Sequence, residues 1–343
     1  MGLEKDSGLE LYSVYPTGER NLISDVIGVK VGHAAIRSED RRINTGVTVI
    51  IPHEGNIFRE KLFAANAVIN GFGKSIGLVQ MDELGTLESP IFMTNTLSAG
   101  DVLSAGIDYM LEANPEIGVD TGTVNVVVTE CNDGGMNDIR GRHVRAEDVR
   151  RAIESAGEDF EEGAVGAGCG MEMMGVKGGI GSASRLVPVG NKTYTVGALC
   201  LSNYGTGDGL VIGGDHIGRR IKASKAEDKG SCILVIATDA PLIDRQLKRL
   251  ANRAAHALAR TGSFSGNGSG DIAIAFSTAN RIEHFNESES KSIEMLYDSR
   301  ISPLFRGAVE AMEEALISSA FHAEAAEGIR GRYVHGLKEY IKK

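Results

Sequence analysis

Ser269 lies in the stretch GNGSGDIAIAFSTAN (266–280), where three glycines and a serine lead directly into an apolar run. A serine hydroxyl is a poor nucleophile unless a base stands within hydrogen-bond reach. Two readings follow. In the first, the stretch is a flexible helix-to-strand connection, and Ser263, Ser265 and Ser269 are interchangeable loop residues. In the second, the chain cuts its own Gly268–Ser269 bond, so that Ser269 acquires a free α-amine as its base. Such an amine has a pKa of about 7.7–8.0, close to what a general base needs near neutral pH. Glycines at 268 and 270 would let the backbone bend until the hydroxyl meets the preceding carbonyl. Strain there would favour the N-to-O acyl shift, and the strand behind would hold the new terminus at a sheet end. No GxSxG precedes a helix at this point, which excludes a nucleophile elbow. The glycine-rich run 163–181 contains neither GxxxxGK[ST] nor a GxGxxG opening a clear helix, so a phosphate-binding reading finds little support.

The chain around this stretch is rich in apolar residues, at 42%, and 343 residues long, enough for a substantial core. Forty-four glycines and only seven prolines suit tight turns and close backbone approach. A net charge of −10 provides no electrostatic footprint for nucleic acid. Cys131, Cys169, Cys200 and Cys232 form no CxxC pair and read as reduced core residues. No run of 18 apolar residues occurs, so neither a membrane span nor a membrane partner is expected, and a cytoplasmic location is the default. The N-terminus matches a lipidation pattern only formally, at Gly2 and Ser7.

Strands are expected at GVTVIIPH (46–53), NVVVTECND (125–133), TYTVGALCLSN (193–203), SCILVIATDAP (231–241) and IAIAFSTAN (272–280). Helices are expected over 98–110, 143–156, 242–262 and 302–325, with Thr238 or Asp239 as cap of the third and Gly262 closing it. The last thirteen residues read as a short strand, and 219–231 as a polar loop. Strands and helices come in blocks without strict alternation, which points to sheet packed on sheet with helices outside, an α+β fold in one compact domain.

The segment TGSFSGNGSGDIAIAFSTAN (261–280) resembles the processing site of the P1 (S58) peptidase family, the DmpA-like L-aminopeptidase/D-esterases and β-aminopeptidases. Seven further segments carry the likeness in the same order: ISDVIGVKVGH, NGFGK, LESPIFMTNTLSAGDV, TECNDGGMNDI, GVKGGIGSASR, LSNYG and ATDAPLIDRQLKRLANRAA. The resemblance implies a four-layer α/β/β/α sandwich like that of DmpA and the ornithine acetyltransferases, related in architecture to N-terminal nucleophile hydrolases. It implies one self-cleavage at Gly268–Ser269, leaving an α chain of 1–268 and a β chain of 269–343. It further implies a tetramer of such heterodimers, and removal of N-terminal residues from small peptides, amides and esters. No metal or other cofactor is implied, in keeping with the lack of HExxH or a clustered His/Asp set.

The resemblance also assigns roles. Ser269 is the nucleophile, and Asn203 in LSNYG the side-chain donor to the oxyanion, with backbone amides of KGGIG (177–181) as possible helpers. A plain turn with Asn203 left-handed is the other reading. Glu172 is expected to receive the substrate's ammonium, and Met174 stands where family members often carry a hydrogen-bonding tyrosine. Glu313 fits a glutamate beside the new N-terminus, with Ala311 in place of a serine. Read from the residues alone, Glu130, Asn132 and Asp133 end a strand in a polar cluster that either lines the cleft or forms an Asx turn, the turn being the preferred reading, and Lys177 is an orienting or structural cation. Two other functions remain: an acyltransferase of the same fold that passes the acyl group to an amine, and an unprocessed binding scaffold.

Overall fold

The structure, a computed structural model, describes Leu3, Leu9 and residues 11–221 and 230–341. The formal lipidation positions Gly2 and Ser7, and most of the expected 219–231 loop, lie outside those residues. In chain order the elements are β1 (Lys30–Arg37), β2 (Asn44–Ile51), β3 (Glu60–Gly71), α1 (Leu78–Leu84), β4 (Thr86–Leu87), β5 (Ile91–Asn95), α2 (Ala99–Ala113), β6 (Val127–Cys131) and α3 (Ala146–Glu154). They continue with β7 (Glu172–Met173), β8 (Val176–Lys177), β9 (Ile180–Val189), β10 (Lys192–Asn203), β11 (Ser231–Thr238), α4 (Asp244–Ala251), α5 (Ala254–Arg260), β12 (Gly270–Glu283), α6 (Ser302–Phe321), β13 (Ala326–Glu327) and β14 (Tyr333–Val334).

Two sheets stack face to face. One has the order β1-β2-β5-β6 and the other β4-β3-β12-β11-β10-β9, with β12 and β11 parallel at its centre. Their continuous apolar sequences follow from burial on both faces. Ile233, Val235, Ile272, Ile274 and Phe276 face the opposing sheet, while Leu234, Ile236, Ala273 and Ala275 face the helices. Helices α2 and α3 cover the four-stranded sheet, and α4, α5 and α6 cover the six-stranded one. The result is the expected α/β/β/α sandwich. Helix α6 rests directly on β9 at Gly181, where an added Cβ would lie 2.0 Å from the Ala315 carbonyl oxygen. No helix among the described residues is long and apolar enough to cross a membrane.

Several local expectations change. The helix expected over 242–262 is two helices: Asn252 donates from both its backbone and side-chain amides to Lys248 O, at 3.1 and 2.8 Å, and the ladder breaks at Arg253, whose amide goes three residues back to Leu250 O at 2.9 Å. Asp239 does not cap it; its carboxylate accepts the Thr195 amide at 2.7 Å, tying the end of β11 to β10. Thr238 instead closes a small turn through Ala240 N at 3.1 Å. The C-terminal strand shortens to β14, paired only with β13. Strands β3 and β9, which the apolar pattern does not announce, supply a neighbour of β12 and an edge of the sheet.

The loop leading to the glycine-rich run is anchored by Glu162, whose carboxylate accepts Ser182 N and Ser318 Oγ, each at 2.6 Å. Burial pushes its pKa up to about 7, against the relief of those hydrogen bonds. A carboxyl raised in the folded state holds its proton there after the unfolded chain has lost it, so stability falls as pH rises from about 4.5 to 7. The loss is expected to be roughly 2–3 kcal/mol. Urea unfolding of wild type and Glu162→Gln across that range checks it: the stability of the wild type relative to the variant should fall by that amount between about pH 4.5 and 7.

Candidate active site

The C-terminal ends of β3, β6 and β10 and the N-terminal ends of β11 and β12 meet at one edge of the sandwich. Gly270 pairs with Ser231 on one side and Gly71 on the other, and Ser231 pairs with Asn203. Cys131, ending β6, donates from Sγ to the carbonyls of Ser231 at 3.3 Å and Leu201 at 3.6 Å, joining the two sheets at this edge. Ser269 sits at the head of β12, fully buried. Its amide donates to Gly266 O at 2.9 Å, so residues 266–269 form a tight turn around the 268–269 bond. Gly270 must be glycine: a Cβ there would lie 2.8 Å from Phe72 O and 3.0 Å from Gly73 Cα. Left-handed backbone occurs nearby at Ser265 (φ 51°), three residues before the expected cut.

The Ser269 hydroxyl donates to Asp271 Oδ1 at 2.6 Å. Two residues apart where the chain enters β12, the side chains share a face, so the sequence Ser-Gly-Asp itself places an acid beside the Ser269 hydroxyl. Both are completely buried. Across the ladder, Asn70 donates from Nδ2 to Gly266 O at 3.1 Å, Asn267 O at 3.3 Å and Ser269 O.

Two other acids flank this edge. Glu130, 2% exposed on β6, accepts Lys74 N at 2.7 Å and the Thr96 hydroxyl. Its Oε1 and Gly270 Cα both lie 3.6 Å from the point where a Cβ on Gly73 would be. Glu172, on β7, is taken by Arg332, which donates from Nε at 2.8 Å and from its terminal nitrogen at 2.6 Å in a bidentate pair. The Glu172 backbone is fixed by Asn203, whose Oδ1 accepts Glu172 N and whose Nδ2 donates to Asn132 O, both at 2.9 Å. Gly230, wedged so that a Cβ would sit 2.0 Å from Asn203 O, accepts Gly270 N at 3.2 Å and so links Asn203 to the head of β12. Asn203 ends a strand; the left-handed residue of LSNYG is Gly205, at φ 78°. Asn132 does form the Asx turn, accepting Gly134 N at 2.9 Å.

Other expected residues lie elsewhere. Glu313 is in the helix layer, paired with Arg260 at 2.6 Å; burial raises its carboxyl pKa and Arg260 holds it back. The acid bonded to Ser269 is Asp271, two residues on at the start of β12, whereas α6 stands on β9 and β10. Met174 (φ 49°) and Gly175 (φ 78°) make the two-residue turn between β7 and β8, and its thioether is buried against Gly205, Gly209 and Gly262. Ala311 is a core residue. Four of the five KGGIG amides have partners: Lys177 N donates to His335 O, Gly178 N to Met171 O, Gly179 N to Ser202 Oγ and Ile180 N to Gly163 O. Lys177 is buried, its ammonium donating to the carbonyls of Gly168, Met171 and Gly178 at 3.2, 2.7 and 2.8 Å. Burial lowers its pKa to about 8, and its contacts make it a brace for the glycine-rich loop.

The model of peptidase family S58 matches residues 21–334. This chain belongs to peptidase family S58. The beta-peptidyl aminopeptidase BapA of Sphingosinicella xenopeptidilytica is 38% identical over 344 residues, covering 93% of this chain and 85% of that protein. Among solved structures, the PH0078 protein from Pyrococcus horikoshii OT3 superposes with a TM-score of 0.94 at 51% identity, over 99% of this chain and 97% of its own. The L-aminopeptidase D-Ala-esterase/amidase from Ochrobactrum anthropi gives 0.90 at 35% identity, over 98% and 96%. That enzyme is described as a prototype for the serine aminopeptidases and a variant among the Ntn hydrolase fold. The S58 fold thus accounts for the sandwich, with Ser269 at the head of its central strand.

Proposed function

We propose that this S58 protein is a self-processing aminopeptidase that cuts its Gly268–Ser269 bond and then uses Ser269, as an N-terminal residue, to release N-terminal residues from small peptides or amides. The observation that carries the reading is the buried Ser269 hydroxyl, hydrogen-bonded to Asp271 at the start of the central strand. In the uncut chain Ser269 has no free amine, so Asp271 is the carboxylate that takes the hydroxyl proton as Oγ attacks the Gly268 carbonyl carbon. The C–N bond breaks, the new amine is protonated, and water hydrolyses the ester to leave chains 1–268 and 269–343. That amine then serves as base in each turnover. Asn203, already within two contacts of Gly270, is the side-chain donor for the oxyanion, worth roughly 2.7–4 kcal/mol in such a role. A cytoplasmic homo-oligomer of the processed pairs completes the reading.

Glu130 is the carboxylate assigned to the substrate's ammonium. Glu172 would have to give up two charge-assisted bonds to Arg332 before it could take one. Glu130 receives only an amide and a hydroxyl among its described hydrogen bonds, on the side facing Gly270. Losing a hydrogen bond to a charged group costs about 1.5–3 kcal/mol. Glu130→Gln is therefore expected to raise KM about 10- to 100-fold with a smaller change in kcat, and Glu172→Gln to change KM less. Steady-state kinetics on short peptides with free N-termini test this, beside the same peptides acetylated, which should not be cleaved. Cleavage of acetylated peptides at the same rate would refute the aminopeptidase reading.

A further inference from the structure

We propose that Asn70 is a positioning residue for the maturation cut, its side-chain amide holding the loop on both sides of the scissile bond so that Ser269 Oγ faces the Gly268 carbonyl carbon. The inference rests on the self-processing reading above and adds to it the group that fixes the geometry. Asn70 Nδ2 reaches Gly266 O at 3.1 Å, Asn267 O at 3.3 Å and Ser269 O. Those carbonyls bracket the one at Gly268, which among the described hydrogen bonds is not a partner of Asn70 and must remain able to accept attack.

A second observation concerns how Asn70 comes to point there. Along β3 and β12 the register runs Gly71–Gly270, Asn70–Asp271, then Val68–Ile272, so Ile69 is an extra residue without a partner. A bulge of this kind twists the strand and re-aims the adjacent side chain. It occurs at the one pair that joins Asn70 to the acid bonded to Ser269. The held segment, Gly-Asn-Gly, has two glycines in three residues and so loses much backbone freedom on being ordered. Ordering it is therefore what an intramolecular attack needs most, since well-oriented groups gain orders of magnitude over mobile ones.

The chemistry asked of the bond is unchanged by Asn70. Oγ–C forms, C–N breaks, the hydroxyl proton passes by way of Asp271 to the leaving amine, and water later divides the ester. Asn70 donates hydrogen bonds and exchanges no proton.

The test is the rate at which the uncut chain is converted to its two fragments, followed by intact mass, in wild type, Asn70→Ala, Asn70→Asp and Ser269→Ala, each with a thermal melt. At pH 7 Asn70→Ala is expected to cut about 30- to 100-fold more slowly than wild type. Asn70→Asp should be slower still, because a carboxylate of the same shape has no N–H and repels three carbonyls. Near pH 4 that carboxyl begins to carry a proton it can donate, with an ordinary pKa of about 3.9, so Asn70→Asp should then overtake Asn70→Ala. A merely structural role would give no such crossing. Wild-type cutting with equally fast Asn70→Ala, or no crossing in Asn70→Asp, overturns the assignment while leaving self-processing intact. Should Asn70→Ala fail to fold, the crossing is read as the rate ratio of Asn70→Asp to wild type, expected to rise as pH falls. A wild type that stays whole in every condition removes self-processing itself, and the role of Asn70 with it.

Discussion

Ser269→Ala is expected to remain one continuous chain and to lose peptide turnover by a factor on the order of 10⁴ to 10⁶, the scale on which removal of a serine nucleophile acts. Two separate losses combine in it. Without the hydroxyl no acyl shift can occur, so the α-amine that would serve as base is never released. Without the hydroxyl there is also no group to form the acyl-enzyme. The fold should survive, since the side chain lost is small and the close backbone approach at Gly270 is untouched. One consequence falls on the buried Asp271 carboxylate, which loses the hydroxyl that donated to it at 2.6 Å. Losing a hydrogen bond to a charged group costs about 1.5–3 kcal/mol, so a small decrease in melting temperature should accompany the loss of activity. Turnover within tenfold of wild type would place the nucleophile elsewhere, with Ser263 and Ser265 next to be substituted.

Asp271→Asn should separate the cut from the catalysis that follows. Asn keeps an oxygen able to accept from Ser269 Oγ but cannot take its proton. General-base assistance contributes about 10²- to 10⁴-fold, and self-cleavage should slow by that amount. Turnover by the fraction that does mature should fall less, because after the cut the α-amine, with its pKa of about 7.7–8.0, takes over as base. The appearance of the 269–343 fragment over time, against kcat per mole of fragment, measures the two effects independently. Equal losses in both would show Asp271 to be required for placing Ser269 in every state. No loss in either would leave the 2.6 Å contact without a chemical role.

How far the sequence carried the reading differs from residue to residue. The layer order was legible because the runs 232–237 in β11 and 272–276 in β12 are apolar without interruption, which demands cover on both faces, and because α6 and the helices after β11 have their own apolar stripes. Strand β9 was obscured by its small residues: Gly181 and Ala183 are small because α6 lies on them, and small residues carry no strand signature. Asp271 was within reach, two positions after Ser269 on a strand, where alternation puts both on one face. Asn70 was not, since nothing local says that β3 pairs with β12 or that Ile69 bulges. Glu172 and Glu313 have partners that no local pattern announces. Each is an acid at a position suggested by resemblance, and each is neutralised by an arginine remote in sequence, Arg332 and Arg260. A carboxylate's availability depends on its cation, and the pairing that supplies the cation is non-local.

Maturation of this S58 chain by a cut before Ser269 is tested most directly by intact mass with N-terminal sequencing of the purified protein over an overnight incubation, beside Ser269→Ala. Two fragments are expected, the smaller beginning Ser-Gly-Asp-Ile, absent from the variant. A wild-type chain that stays whole, or a smaller fragment that begins at any other residue, would contradict it.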